Sequence, residues 1–274
     1  MMIRKYLNLT FSSMFFAILT FLTLSYFEFP ENFKKHKQQR SETVLIVGLD
    51  QSEEDINPDT ILLTALPKEG GSPKILSIPR DTLVETESGT NRINHSWHEN
   101  GNITGLRGAL QSLANIPVDK YLVINFNNLK ELIDDLGGVK VHIEKEMKYE
   151  DKSQNLLIDF SPGIHNLNGH QSLLYARFRN DALGDIGRIQ RQQRLAHAIL
   201  KKFHKTTTLK KIFIIKNFLK NIETNLKIEE ILVLGIRTRG EAPSTEILPG
   251  KFMGPYWSPE MNELNQWVAK NINQ

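Results

Sequence analysis

From Leu7 to Phe29 the chain is apolar almost without interruption (LNLTFSSMFFAILTFLTLSYFEF), and no charge appears before Glu28. Twenty-odd such residues, at about 1.5 Å each, match the hydrocarbon core of a bilayer, so this stretch predicts a membrane-spanning helix. The polar segment 30–42 (PENFKKHKQQRSE) reads as an exposed stalk. From Thr43 the pattern changes to short apolar runs with turns or helical-period stretches between them. Val44–Val47 (stopped by Gly48), Ile61–Ala65 and Lys74–Pro79 predict buried strands, as do Tyr121–Asn125 and Val139–Ile143. Between them, Gly105–Leu113 and Leu129–Leu136 predict helices, the second closed by Gly137-Gly138. Gly163–Gly169 is turn-rich, a long helix is expected to about Lys202, and Lys210–Asn221 and Ile228–Leu234 continue in helical period. A strand at Thr245–Leu248 and a terminal helix from Pro259 complete the pattern. Such alternation predicts an α/β fold with a layered sheet covered by helices, and it shows no internal repeat or second domain.

Charge sharpens this picture. The chain of 274 residues has a net charge of +3, yet residues 1–40 alone carry six basic and two acidic residues, leaving −1 for the rest. A nearly neutral body argues against a general nucleic-acid binder. Arg4 and Lys5 place the N-terminus inside, and the basic residues after the span do not prevent a long domain from being translocated. No small-x-small cleavage pattern follows Phe29, so an uncleaved anchor is expected. The expected organisation is a cytoplasmic N-terminus and transmembrane anchor at 1–29, a stalk at 30–42 and an extracytoplasmic domain at 43–274. With no cysteine in the sequence, disulfides, thiol catalysis and cysteine–metal sites are excluded.

The arginines are concentrated. Five of the twelve (Arg177, Arg179, Arg188, Arg191 and Arg194) lie within eighteen residues, beside only Asp181 and Asp185. On a helix that Asp185 caps, Arg188, Arg191 and Gln192 share one face near the positive end, with Arg177 and Arg179 in a short loop upstream. Unpaired N–H groups and guanidinium forks suit a doubly charged anion such as a pyrophosphate. A solvated basic face is the bland alternative, but the acids are not spaced to pair the arginines off, and a lysine-rich chain uses arginine here. Two further acids stand at strand boundaries: Asp59 at the start of one and Asp81 at the end of another. If those strands are antiparallel neighbours, the carboxylates converge as hard oxygen ligands of the kind Mg²⁺ takes; otherwise both are turn formers. Arg80 and Arg92 lie beside them, and each is a candidate pyrophosphate contact or the partner of a local acid. His95 and His98 lack a third partner and read as loop residues, not zinc ligands.

Read in order, the motifs Pro-Asp-Thr60, Ser-Ile-Pro-Arg-Asp-Thr82, Arg-Ile-Asn94, Ile-Pro-Val-Asp-Lys-Tyr121, Asp-Leu-Gly-Gly-Val139, Leu-Asn-Gly169, Tyr-Ala-Arg-Phe-Arg179 and Asp-Ile-Gly-Arg-Ile-Gln-Arg-Gln-Gln193 closely resemble the LytR–CpsA–Psr family of bacterial cell-wall assembly proteins. The likeness runs from about Val44 to Leu200 and weakens past Lys202. It implies a three-layer α/β/α sandwich around a central mixed sheet, preceded by the transmembrane helix. It also implies Mg²⁺-assisted transfer of a phosphoglycopolymer (wall teichoic acid, capsule or similar) from a polyprenyl-pyrophosphate carrier to peptidoglycan. By the same resemblance Asp59 and Asp81 match the metal-associated acids. Arg80, Arg177, Arg179, Arg188, Arg191 and Gln192 match pyrophosphate-binding positions, and Arg92 stands where the family often has lysine. Asp185 is a candidate base or a helix cap, with Arg80 and Arg191 as its catalytic companions. A lipid-pyrophosphate hydrolase and a non-catalytic lipid-glycan binder or regulator are the alternative readings.

Overall fold

The computed structural model describes residues 41–51, 56–66, 71–86, 89–99, 101–151, 156–178, 184–231 and 243–273. The expected anchor, most of the stalk and Arg179 lie outside them. Among the described residues no helix is long and apolar enough to cross a membrane. In chain order the strands begin with β1 (Glu42–Gln51), β2 (Ile56–Leu66), β3 (Lys74–Ile78), β4 (Leu83–Thr86) and β5 (Gly89–Arg92). A 3-10 helix (Ile93–His98), helix α1 (Ile103–Ala114), β6 (Lys120–Ile124) and α2 (Phe126–Asp135) follow. Then come β7 (Val139–Ile143), β8 (Met147–Asp151), β9 (Leu156–Phe160) and β10 (Gly163–Leu167), and after them α3 (Gly169–Arg177), α4 (Gly184–His204) and α5 (Thr208–Lys220). The chain closes with β11 (Glu223–Thr224), β12 (Ser244–Ile247), β13 (Gly250–Met253), β14 (Tyr256–Pro259) and α6 (Met261–Asn271).

These elements form two compact units, one of residues 126–221 and one containing 41–125 with 222–273. The latter is built on a six-stranded mixed sheet in the order β11-β6-β1-β2-β3-β12. Strands β1 and β6 run parallel, as do β3 and β12, while β2 is antiparallel to both β1 and β3. Leu45 and Val47 of β1, Ile61 and Leu63 of β2 and Leu76 and Ile78 of β3 pack with Leu106 and Leu110 of α1 and Leu264 and Trp267 of α6. The alternate residues Val44, Ile46, Leu62, Ile75, Leu122 and Ile124 are buried as well. Burial of both faces is why β1 and β2 read as continuous apolar runs and not as alternating ones.

The other unit carries the hairpin-like pairs β7–β10 and β8–β9 with helices α2 to α5. Gly137 and Gly138, at φ 78° and 79°, end α2 in the left-handed region that L side chains rarely enter. Where a turn was expected at Gly163–Gly169, strand β10 pairs residue for residue with β7, from Leu167 opposite Val139 to Gly163 opposite Ile143. Turn-type composition there is overridden by pairing to an already formed neighbour. The hairpins β4–β5 and β13–β14, with strands of four residues each, also escaped the sequence.

Candidate active site

One cluster of candidate residues grows from an irregularity in β2. Thr60 lies opposite Gly48 and Pro58 opposite Leu49, so Asp59 has no counterpart on β1. It is the extra residue of a β-bulge, a device that re-aims a side chain. Asp59 is thus the fourth residue of its strand and not the first, as the apolar run had implied. On the other side β2 pairs with β3 up to Ile61 opposite Ile78. Continuing that register by two residues sets Asp59 across from Arg80. The Arg80 guanidinium donates to the Asp59 carboxylate, and its Nε lies 3.9 Å from Asp81. Arg92 Nη1 approaches the other Asp81 oxygen at 3.3 Å. The antiparallel neighbourhood expected from the sequence therefore holds, and it yields a chain of alternating charge: Asp59, Arg80, Asp81, Arg92.

This arrangement is held by the main chain. The carbonyls of Arg80, Asp81 and Thr82 accept from the N–H groups of Asn94, Trp257 and Ile93 at 3.2, 2.9 and 2.7 Å, and the Pro79 carbonyl takes the Thr82 hydroxyl at 2.6 Å. The turn between β3 and β4 is consequently pinned from two sides while its charged side chains stay partly open to solvent. His95, read from the sequence as a loop residue, sits in the 3-10 helix with Nε2 2.5 Å from Arg92 Nη2. Because guanidinium can only donate, that ring nitrogen accepts and the imidazole is neutral. Burial and then the Arg92 charge hold the His95 pKa below its usual value. His98 bonds Asn57, two residues before the bulge, at 2.9 Å. Neither histidine could have been attached to these partners from spacing alone.

Hard oxygens that already hold a cation are what a magnesium ion seeks. Asp59 and Asp81 share the Arg80 guanidinium, whose side chain is 47% exposed and can leave toward solvent. Among the described residues no group of three or more His, Cys, Asp or Glu converges. The pair fits Mg²⁺, which takes one or two carboxylates and fills its remaining positions with water and phosphate oxygens.

A second cluster of candidate residues lies within the other unit. Arg177 is exposed and is the last residue of α3, not part of a loop. Helix α4 begins at Gly184, which makes Asp185 its second residue and not its cap. Arg188 lies one turn further along, and the side chains of both residues are outside the described part. Arg191 and Gln192 are 5% and 3% exposed, so this face is not a solvated basic stripe. Arg191 Nη2 donates to the Phe178 carbonyl at 2.6 Å, and its guanidinium lies 5.1 Å from the centre of the Phe178 ring. The buried Gln192 Oε1 has no hydrogen-bond partner among the described residues. Tyr175 packs nearby, and burial pushes its hydroxyl above the ordinary phenol value despite the Arg194 and Arg191 charges. A rigid, buried guanidinium fixed to the α3–α4 connection is suited to present a fork to a phosphate.

Comparison with known proteins identifies the family. The LytR_cpsA_psr family matches residues 25–264. The chain belongs to that family. A LytR_cpsA_psr relative, the polyisoprenyl-teichoic acid–peptidoglycan teichoic acid transferase TagV of Bacillus subtilis (strain 168), is 31% identical over 183 residues, 64% of this chain and 46% of its own. The TagU transferase of Bacillus cereus is 30% identical over 189 residues, covering 67% of this chain and 60% of its own. The chain thus spans only about half the length of these relatives. The crystal structure of B. subtilis TagV superposes with a TM-score of 0.62 at 24% identity, covering 86% of this chain and 98% of that one. TagT bound to LIIa-WTA superposes with a TM-score of 0.60 at 23% identity, covering 87% and 94%. These likenesses establish the mixed α/β fold around a central mixed sheet.

Proposed function

We propose that the protein transfers a phosphoglycopolymer, a wall teichoic acid or similar polymer, from a polyprenyl-pyrophosphate carrier to a sugar hydroxyl of peptidoglycan. The observation that carries this reading is the bulge-positioned Asp59–Arg80–Asp81–Arg92 chain in a member of the LytR_cpsA_psr family. The relatives' names, which describe teichoic acid transferases acting on polyisoprenyl-linked polymer, support it. Anchoring by Leu7–Phe29 with the domain outside, a three-layer α/β/α sandwich and use of Mg²⁺ belong to the same proposal; burial of both sheet faces supports the layering.

In this reaction an acceptor hydroxyl attacks the phosphorus that bears the polymer, and the lipid phosphate leaves. Phosphoryl transfer needs mainly positioning and charge neutralisation. Asp59 and Asp81 would hold Mg²⁺, which supplies positive charge at phosphate oxygens. Arg80, displaced from the two carboxylates, turns its fork to the diphosphate, and Arg92 stays tied to Asp81. Arg191, immobilised by Phe178, offers donors that need no reorganisation when charge develops. Arg177, Arg179, Arg188 and Gln192 complete the pyrophosphate contacts. Asp185 accepts the proton of the attacking hydroxyl.

Asp81→Asn and Arg191→Lys test the reading, since each keeps volume and removes only a charge or a fork. Transfer from a purified lipid-linked donor to peptidoglycan should fall by about a hundredfold or more in each. Asp81→Asn should melt close to wild type, whereas Arg191→Lys, which loses the buried bond to the Phe178 carbonyl, should melt lower but still cooperatively. Unchanged transfer in both would sink the proposal. Release of the polymer phosphate at the same rate with and without peptidoglycan would make the protein a hydrolase instead.

A further inference from the structure

The outward side chains of β7 and one stripe of α4 border an open groove of about 550 Å³ that none of the proposed catalytic residues lines. Strand β7 alternates buried Val139, Val141 and Ile143 with exposed Lys140 and His142, and exposed Glu144 follows its end. On α4 the residues Arg194, His197 and Lys201 recur at three and four positions, so they share the face next to the one that buries Arg191, Leu195 and Ile199. Three permanent cations therefore meet one carboxylate, a local charge of +2 in a body (residues 41–274) that totals −1. Among the described residues Lys140 and Lys201 make no ion pair, and Glu144 reaches Arg194 at 2.8 Å, with both side chains well exposed. An exposed pair of this kind contributes little and gives way readily to a competing anion. Val141 and Ala198 supply apolar floor between the charges.

We infer that this groove binds the phosphodiester-bearing stretch of the glycopolymer, beyond the diphosphate that the arginines take. Lys140, Arg194 and Lys201 receive successive phosphates, the histidines add donors, and Glu144 is the internal anion that the polymer replaces. The inference rests on the transferase reading for the identity of the polymer, though binding can be measured without catalysis. Spacing along the helix agrees: Arg194 to Lys201 is about 10 Å at 1.5 Å per residue, room for more than one phosphate.

The test is calorimetric titration of the full chain with soluble poly(glycerol phosphate), with uncharged dextran as control. Lys140→Ala combined with Lys201→Ala should weaken binding about tenfold, each exposed charge contact being worth a few-fold. Glu144→Gln should tighten it about threefold, and added salt should weaken it in wild type. In the transfer assay the lysine double variant should keep its rate with a donor carrying one sugar and show a raised KM with a long polymer. Equal affinity in wild type and all variants, or a loss produced by Arg177→Ala but not by the lysine changes, overturns the inference. If wild type transfers nothing yet binds the polymer through Lys140 and Lys201, the proposed reaction falls and the groove stands.

Discussion

Arg92 shows how a single position is set by what surrounds it. In the sequence it is one more cation in a loop; in the fold it is shared between the Asp81 carboxylate and the ring of His95. Protonating that ring would remove its acceptor and place two cations together. Because the folded-state pKa of His95 lies below 6.5, the unfolded chain binds more protons than the folded one between the two values. Stability contributed by the neutral ring is therefore full above pH 6.5 and declines as the pH falls through the folded value. Denaturant melts at pH 7.5 and 5.5 should show a loss in wild type that His95→Gln reduces; the effect is small, since the ring is only partly buried. Identical pH slopes would mean that His95 plays no such part.

Among the elements, α3 is the clearest case of a motif whose first duty is structural. Asn168 accepts from the Gln171 N–H at 2.9 Å while the Gln171 side chain accepts from the Asn168 N–H at 3.1 Å, a reciprocal cap. Gly169 follows at a close approach: a Cβ there would stand 2.2 Å from the Lys130 carbonyl oxygen. Asn168→Ala should cost about 1 kcal/mol through the lost cap. Gly169→Ala should cost about 1–3 kcal/mol, because main chain on both sides must shift. Thermal unfolding checks the order, and a Gly169 variant as stable as wild type would contradict the packing. Both residues belong to the Leu-Asn-Gly motif that helped suggest the family, so a recognisable motif need not touch a ligand. The same holds for Gly137 and Gly138, which end α2.

At the level of the whole molecule, the charge arrangement predicts a response to metal. If Mg²⁺ displaces Arg80 from Asp59 and Asp81, it binds the folded state alone and stabilises it by RT ln(1 + [L]/Kd), about 2.7 kcal/mol at a hundred times Kd. Magnesium should raise the melting temperature of wild type and leave that of an Asp59→Asn, Asp81→Asn double variant unmoved. Chelation should then stop transfer without unfolding the protein. An equal rise in both proteins would place the ion elsewhere.

Much of the fold was legible because burial of both sheet faces writes itself as apolar runs, and because helices α1, α2 and α6 repeat their buried positions at helical spacing. The arginine cluster and the two aspartates could be picked out for the same kind of reason: residue type, local spacing and the absence of pairing acids are one-dimensional facts. Tertiary structure alone decided that Asp59 sits on a bulge, that Arg80 bridges it to Asp81, and that Arg191 is buried against Phe178 and not splayed in water. It alone brought Lys140 to the same groove as Arg194 and Lys201. Bulges, cross-strand partners and grooves depend on which distant segment becomes a neighbour, and local propensity contains no record of that choice.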